Sequence, residues 1–142
     1  MGSNQKKEYI TYQKKRVATI ITPDLRPYGP IFFTEHERSL QVGTHHAKAG
    51  YEWKPHTHPK RNIHIETTEE VLYIIRGTIC VTFFTKDKTV IDKRTIHGGD
   101  IIILHSLGHG LTAIEDSEII EVKHGPYAQT NKLFFNSNDS SK

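Results

Sequence analysis

The feature that most constrains this chain is the absence of any sustained 3.6-residue hydrophobic period. In its place stand short runs of β-branched and aliphatic residues, closed again and again by Gly, Pro and Asp. Arg16–Thr22 ends at Pro23, Ile31–Thr34 is a short apolar run, and Ser39–His46 alternates loosely and stops before Gly50. Glu70–Ile75 runs into Arg76-Gly77, Thr78–Thr85 into Lys86-Asp87-Lys88, and Thr89–Arg94 toward Gly98-Gly99-Asp100. Ile101–Leu104 is an uninterrupted apolar run, Leu111–Ile114 follows His109-Gly110, and Glu118–Lys123 precedes Gly125-Pro126. Short strands at this spacing predict an all-β chain, an antiparallel sandwich or barrel. Only Pro23–Arg26 and Thr34–Arg38 leave room for a helical turn.

A chain of 142 residues is one domain's worth and can bury a core without disulfides or metal staples. The pattern predicts a flexible lead-in over 1–15, a single β domain over 16–135 and a disordered polar tail over 136–142. Nineteen Lys and Arg against 16 Asp and Glu give a net charge of +3, spread along the chain, which argues against a nucleic-acid partner. No apolar run approaches the ~20 residues of a membrane-spanning helix, so no membrane partner is expected. The first residues are polar, without a secretory-type apolar stretch. The lone Cys80 excludes an internal disulfide and a cysteine-based zinc site, so the expected compartment is the cytoplasm. Cys80 lies in an apolar run and reads as a small hydrophobe.

Histidine is the unusual residue, with ten copies. His56 and His58 lie two apart, between Pro55 and Pro59; on a strand this spacing sets both rings on one face, placed to hold one divalent ion. In Glu70–Ile75, alternation groups Glu70 with Leu72 and Ile74, and Val71 with Tyr73 and Ile75. A carboxylate heading an apolar face needs a partner or an ion, whereas Glu69 reads as the residue that ends the loop in water. Further on, Ile101–Leu104 ends in a Gly-flanked histidine, His109 between Gly108 and Gly110.

In these residues the chain resembles the cupin superfamily. Its first motif is Gly, five residues, His-x-His, three or four residues, Glu, six residues, Gly. Gly50, His56 and His58 match its first half, and Glu70 and Gly77 its last spacing, with eleven residues between His58 and Glu70. The longer gap predicts an extended loop over Lys60–Glu69. The second motif is Gly, five residues, Pro-x-Gly, two residues, His, three residues, Asn. Counted from Gly98, His109 takes the His position, while Leu104, Ser106 and Ala113 replace the Pro, Gly and Asn.

The resemblance implies a single-domain cupin-like antiparallel β-barrel, the jelly roll or double-stranded β-helix, of the small bacterial kind. It implies one divalent transition metal ion held by His56, His58, Glu70 and His109. Three imidazoles and a carboxylate suit Fe(II), Mn, Ni, Co, Cu or Zn, whereas Ca and Mg prefer oxygen ligands. A rival set substitutes Asn62, His64 and Glu69. The expected function is a metal-dependent enzyme acting on a small oxygen-rich molecule, of isomerase, epimerase or dioxygenase type, with a link to sugar pathways by association. The alternative is a non-catalytic small-molecule or metal-binding module. The resemblance also implies a homodimer, with Ile31–Phe33 and Leu133–Phe135 as candidate contact segments.

Among the other histidines, His46, His64 and His105 are the candidate general bases. His45 and His46, adjacent on a strand, face opposite ways. His105 reads as a solvent-facing loop residue, and His36, His97 and His124 as surface residues. Arg61 and Arg76 have the shape to hold an anion, although Arg76 in its turn reads as exposed. Trp53 and Tyr51 read as packing residues ahead of the His-x-His pair.

Overall fold

A computed structural model of the chain describes residues 7–25, 28–128 and 132–135. Among them are ten strands and no helix: β1 (Lys7–Tyr12), β2 (Lys15–Ile21), β3 (Gly29–Phe32), β4 (Gly43–His46), β5 (Glu70–Arg76), β6 (Thr78–Phe84), β7 (Val90–His97), β8 (Ile101–Leu104), β9 (Gly108–Ala113) and β10 (Glu118–Lys123). The nine expected strands are present, β8 and β10 with the expected ends and the other seven with shifted ones. The tenth, β1, falls inside the expected flexible lead-in, which is corrected over 7–12. Its Ile10 is buried against the core, so this segment orders by tertiary burial. The expected tail at 136–142 lies outside the described residues. Of the two stretches with room for a helical turn, 23–25 (Arg26 lies outside the described residues) and Thr34–Arg38 give turns at most; Leu25 N–H bonds Thr22 O and Arg38 N–H bonds Glu35 O, each over 3.1 Å.

Among the described residues, all pairings are antiparallel and form three sheets, in the orders β1-β2-β8-β5-β10, β7-β6-β9 and β3-β4. A continuous apolar cluster joins Ala18 and Ile20 of β2, Leu72 and Ile74 of β5, Val81 and Phe83 of β6, Ile96 of β7, and Ile102 and Leu104 of β8. The five-stranded and three-stranded sheets therefore share one core, as a strand period of two requires when each sheet buries one face. The chain is thus all-β with packed antiparallel sheets.

The opposite face of the five-stranded sheet is not bare. Ile21, Phe33 and Ile103 form a second buried cluster, with Leu25, Val42, Val71 and Ile101 against it. Phe33 and Val42 flank the β3–β4 hairpin, and Phe33 N–H bonds Val42 O over 2.7 Å. Adjacent residues of β8 thus serve different cores, Ile102 and Leu104 the inner one and Ile103 the outer one. That explains why Ile101–Leu104 reads as a continuous apolar run without alternation.

Two backbone devices position the residues discussed below. The β1–β2 register slips between Ile10 and Thr11, pairing Ile10 with Ala18 but Thr11 with Arg16, so Val17 forms a bulge. Val17 O accepts His105 N–H over 2.8 Å and Ser106 N–H over 3.4 Å, which ends the β2–β8 pairing and aims the chain after β8. At the β5–β6 turn, Gly77 has φ +93°, and a Cβ there would lie 2.6 Å from Asp116 O. Only glycine satisfies both demands.

Candidate functional site

The alternation along β5 holds. Glu70 pairs in register with Leu104 of β8 and Lys123 of β10, and shares the inner face with Leu72 and Ile74. In the other sheet, His109 of β9 pairs with the fully buried Phe83, which turns it toward the same side, where it stays exposed to water. The two meet between the sheets, His109 Nε2 donating to Glu70 Oε2 over 3.2 Å. Lys123 Nζ lies 3.9 Å from Glu70 Oε1 and 2.6 Å from Glu121 Oε1. The hydrogen bond from His109 holds the Glu70 carboxyl below its ordinary value, opposed by burial and helped by the positive charge of Lys123.

His56 and His58 lie elsewhere. The strand geometry under which their spacing is read is not formed: residues 51–69 form no strand, and 51–68 are exposed throughout. Pro55 and Pro59 explain this, since neither has an N–H to give a ladder. The two rings are still neighbours, with centroids 5.0 Å apart and planes at 77°. His56 Nδ1 lies 2.8 Å from Lys54 O. A carbonyl only accepts, so Nδ1 carries the proton and the Nε2 lone pair faces outward, the tautomer a metal-binding histidine uses.

The donor chemistry suits a transition metal in part. Two ligands about 2.0–2.2 Å from one ion in neighbouring positions lie about 3 Å apart, close to the Glu70–His109 separation of 3.2 Å, so an ion there would take the place of the proton that His109 Nε2 gives to Glu70. The structure thus brings the four candidates together as two pairs. Among the described residues, no group of three or more His, Cys, Asp or Glu side chains is gathered closely enough to hold an ion.

The residues that sequence reasoning misjudged are Glu69 and His105. Glu69 is 4% exposed and His105 3%, so the expected solvent positions of both are corrected. Glu69 precedes Glu70 and so occupies the opposite, outer face, which Val71 and Ile103 share. Glu69 Oε1 accepts from His105 Nδ1–H and from Arg38 Nη1–H, each over 2.7 Å. His105 Nε2 then accepts from Thr19 Oγ1–H over 2.9 Å. Burial pushes the His105 pKa below its ordinary value despite the Glu69 hydrogen bond. With both nitrogens engaged, His105 is withdrawn from the candidate general bases. Arg38 Nε also bonds Glu35 Oε2 over 2.7 Å, and Arg16 pairs with the other oxygen of Glu35.

This network borders a cleft of about 500 Å³ that His64, Glu66, Lys15 and Ser106 also line. Two members of the rival set, His64 and Glu69, therefore line one cleft, on the face away from Glu70 and His109. His45 and His46 border a smaller cavity with Thr44. His36 and His97 are exposed as expected, but both ring nitrogens of His124 are enclosed, without a hydrogen-bond partner among the described residues. Arg76 is exposed and paired with Glu118 over 3.2 Å. Tyr51 and Trp53 are exposed and pack edge to face at 4.8 Å. The signal that could have found the Glu69–His105 pair was parity: consecutive carboxylates on one strand must look to opposite faces.

Comparison with protein-family models, with curated proteins and with solved structures finds no match to this chain. What the fold and the site define is therefore a class: an all-β protein of antiparallel sheets, with one His–carboxylate pair between its sheets and another on the outer face. Among the described residues, no helix is long and apolar enough to cross a membrane.

Proposed function

We propose that this chain is a cupin-like, metal-dependent enzyme acting on a small oxygen-rich molecule, of isomerase, epimerase or dioxygenase type. The observation that carries the reading is the Glu70–His109 contact of 3.2 Å between two sheets, heading an otherwise apolar face. His56 and His58 are the further ligands, supplied by the exposed segment between β4 and β5. A bound divalent transition metal supplies Lewis acidity toward a substrate oxygen or, as iron, access to oxygen chemistry. Glu70, kept ionised by His109 and Lys123, offsets positive charge at the site. The apolar side chains of Leu72 and Ile74 below it limit water on that side.

The test is elemental analysis of the full chain beside Glu70→Ala, His109→Ala and His56→Ala variants. About one transition metal per chain, reduced in all three variants, is the expected result. A wild-type protein that stays folded and metal-free after reconstitution with Fe, Mn, Ni, Co, Cu and Zn would sink the proposal. Metal retained without turnover of any carbonyl or polyol substrate would turn it toward the binding-module alternative.

The proposal includes a homodimer. Its support is apolar surface at the expected segments: Ile31 and Phe32 are exposed although Phe33 is buried in the outer core, and Leu133 and Phe134 are 92% and 80% exposed. Phe135 packs edge to face on Phe84 at 5.4 Å. Sedimentation equilibrium should return about twice the chain mass of 16.3 kDa. A monomer at micromolar concentration would remove the dimer from the proposal.

A further inference from the structure

Residues 51–68, between β4 and β5, are exposed along their whole length. A loop this long without secondary structure is uncommon in a compact domain and usually carries function. It is not polar throughout: Tyr51, Trp53, Ile63 and Ile65 all stand exposed, Trp53 and Ile63 with more than half of their surface in water. Pro55 and Pro59 hold the residues before them extended and give no N–H to a strand of their own chain. The two flanks of the segment lie on the outer side of the five-stranded sheet. Trp53 meets His45 of β4 edge on at 6.2 Å, and His64 and Glu66 line the cleft that holds Glu69. Glu70 and His109 lie on the other side of that sheet, with Leu72 and Ile74. Each chain thus presents its four donors as two separate pairs. His56 and His58 set their rings 5.0 Å apart, with His56 Nε2 outward. Glu70 and His109 set two donor atoms 3.2 Å apart, both side chains partly open to water.

Resting on the metal-site reading above, we infer that residues 51–68 form an exchanged arm: His56 and His58 of one copy complete the site that Glu70 and His109 begin in a second copy, and the reverse. A two-fold axis makes the exchange reciprocal, so both sites are built alike and assembly stops at two chains. The two halves are complementary in chemistry. Two neutral imidazoles join one imidazole and one carboxylate, the nitrogen-rich set that suits a divalent transition metal. Doubled back on itself, the segment reaches up to about 30 Å, enough to cross to a second molecule. Docking it there also takes Tyr51, Trp53, Ile63 and Ile65 out of water, and aromatic side chains are enriched at such interfaces. Delivery within one chain would have to carry the pair round the sheet while both flanks stay on its outer side.

The test is subunit mixing with Zn(II). One full-length variant carries His56→Ala with His58→Ala, and the other carries Glu70→Ala with His109→Ala. Each alone should lose the bound zinc. Refolded together in equal amounts, they should recover about a quarter of the wild-type zinc per chain, because about half of the dimers are mixed and each mixed dimer holds one complete site of two. A mixture without zinc, beside a wild type that holds about one per chain, overturns the exchange and returns the arm to its own chain. A second measurement needs no metal. In a Cys80→Ala background, a chain with His56→Cys and His109→Cys is treated with a short bis-maleimide. The expected product is a covalent dimer, which neither single-cysteine chain should give. A crosslinked monomer, or no crosslink at all, overturns the inference. A covalent dimer from a protein that takes up no metal would instead sink the metal reading and leave the exchanged arm standing. Melting curves verify that every variant is folded.

Discussion

Glu69 and Glu70 share a peptide bond and have opposite surroundings. Glu70 faces the inner core and pairs with His109, and Glu69 faces outward into the His105–Arg38 contact. Their removal should therefore cost differently. Glu69→Ala leaves the buried His105 Nδ1–H without its acceptor and Arg38 with Glu35 alone, and a loss of roughly 1–3 kcal/mol is expected in urea denaturation. Glu70→Ala should lower metal content far more than stability, because its neighbours Lys123 and His109 keep access to water. His105 makes a separate prediction with pH. Its folded pKa lies below the ordinary 6.5, so the unfolded chain binds the proton first as pH falls. Its contribution is whole above the unfolded pKa and is lost as pH drops through 6.5 toward the folded value. Melting temperature should fall between pH 7.5 and 5.5 in the wild type, and the slope should flatten in His105→Gln. An equal slope in both would show that another group carries the dependence.

At the scale of elements, the β5–β6 turn explains why a glycine stands at position 77. Gly77 combines a left-handed backbone with the approach of Asp116 O and Ser117. Gly77→Ala should destabilise by about 1–3 kcal/mol, read as a shift of the urea midpoint. An unchanged midpoint would mean that the 116–117 turn yields freely. The same scale shows why the strands were legible and the His-x-His segment was not. Runs such as Thr78–Phe84 carry their own period of two, bounded by turn residues, so local chemistry names them. Residues 51–69 share that spacing of histidines but have Pro55 and Pro59 in place of ladder donors. Spacing alone therefore foretold the neighbouring rings and missed the irregular backbone. β1 failed for the opposite reason: KEYITY is too polar to announce itself, and Ile10 orders it only by reaching the shared core.

For the whole molecule, stability rests on one core shared by two sheets and a smaller one beneath the β3–β4 hairpin. Phe83 is fully buried at the centre of the first, so Phe83→Ala should cost about 3–5 kcal/mol. A loss under 1 kcal/mol in the same urea assay would show that the sheets close over the cavity. The two cores also place unlike chemistry on the two faces of the five-stranded sheet. The His–carboxylate pair proposed to take a metal lies on one face. The buried Glu69 network lies on the other.

By itself the sequence determined what depends on neighbours along the chain. That includes the strand runs, their closure at Gly and Pro, and the grouping of Glu70 with Leu72 and Ile74, since backbone sterics and a period of two act over a few residues. It also marked Glu70 and His109 as chemically distinct, because each interrupts a pattern. Only the tertiary structure decided that Glu70 meets His109 across two sheets, and that Glu69 finds His105, 36 positions away. Those outcomes depend on which strands lie side by side and which faces they cover, and distant burial, not local preference, sets that order.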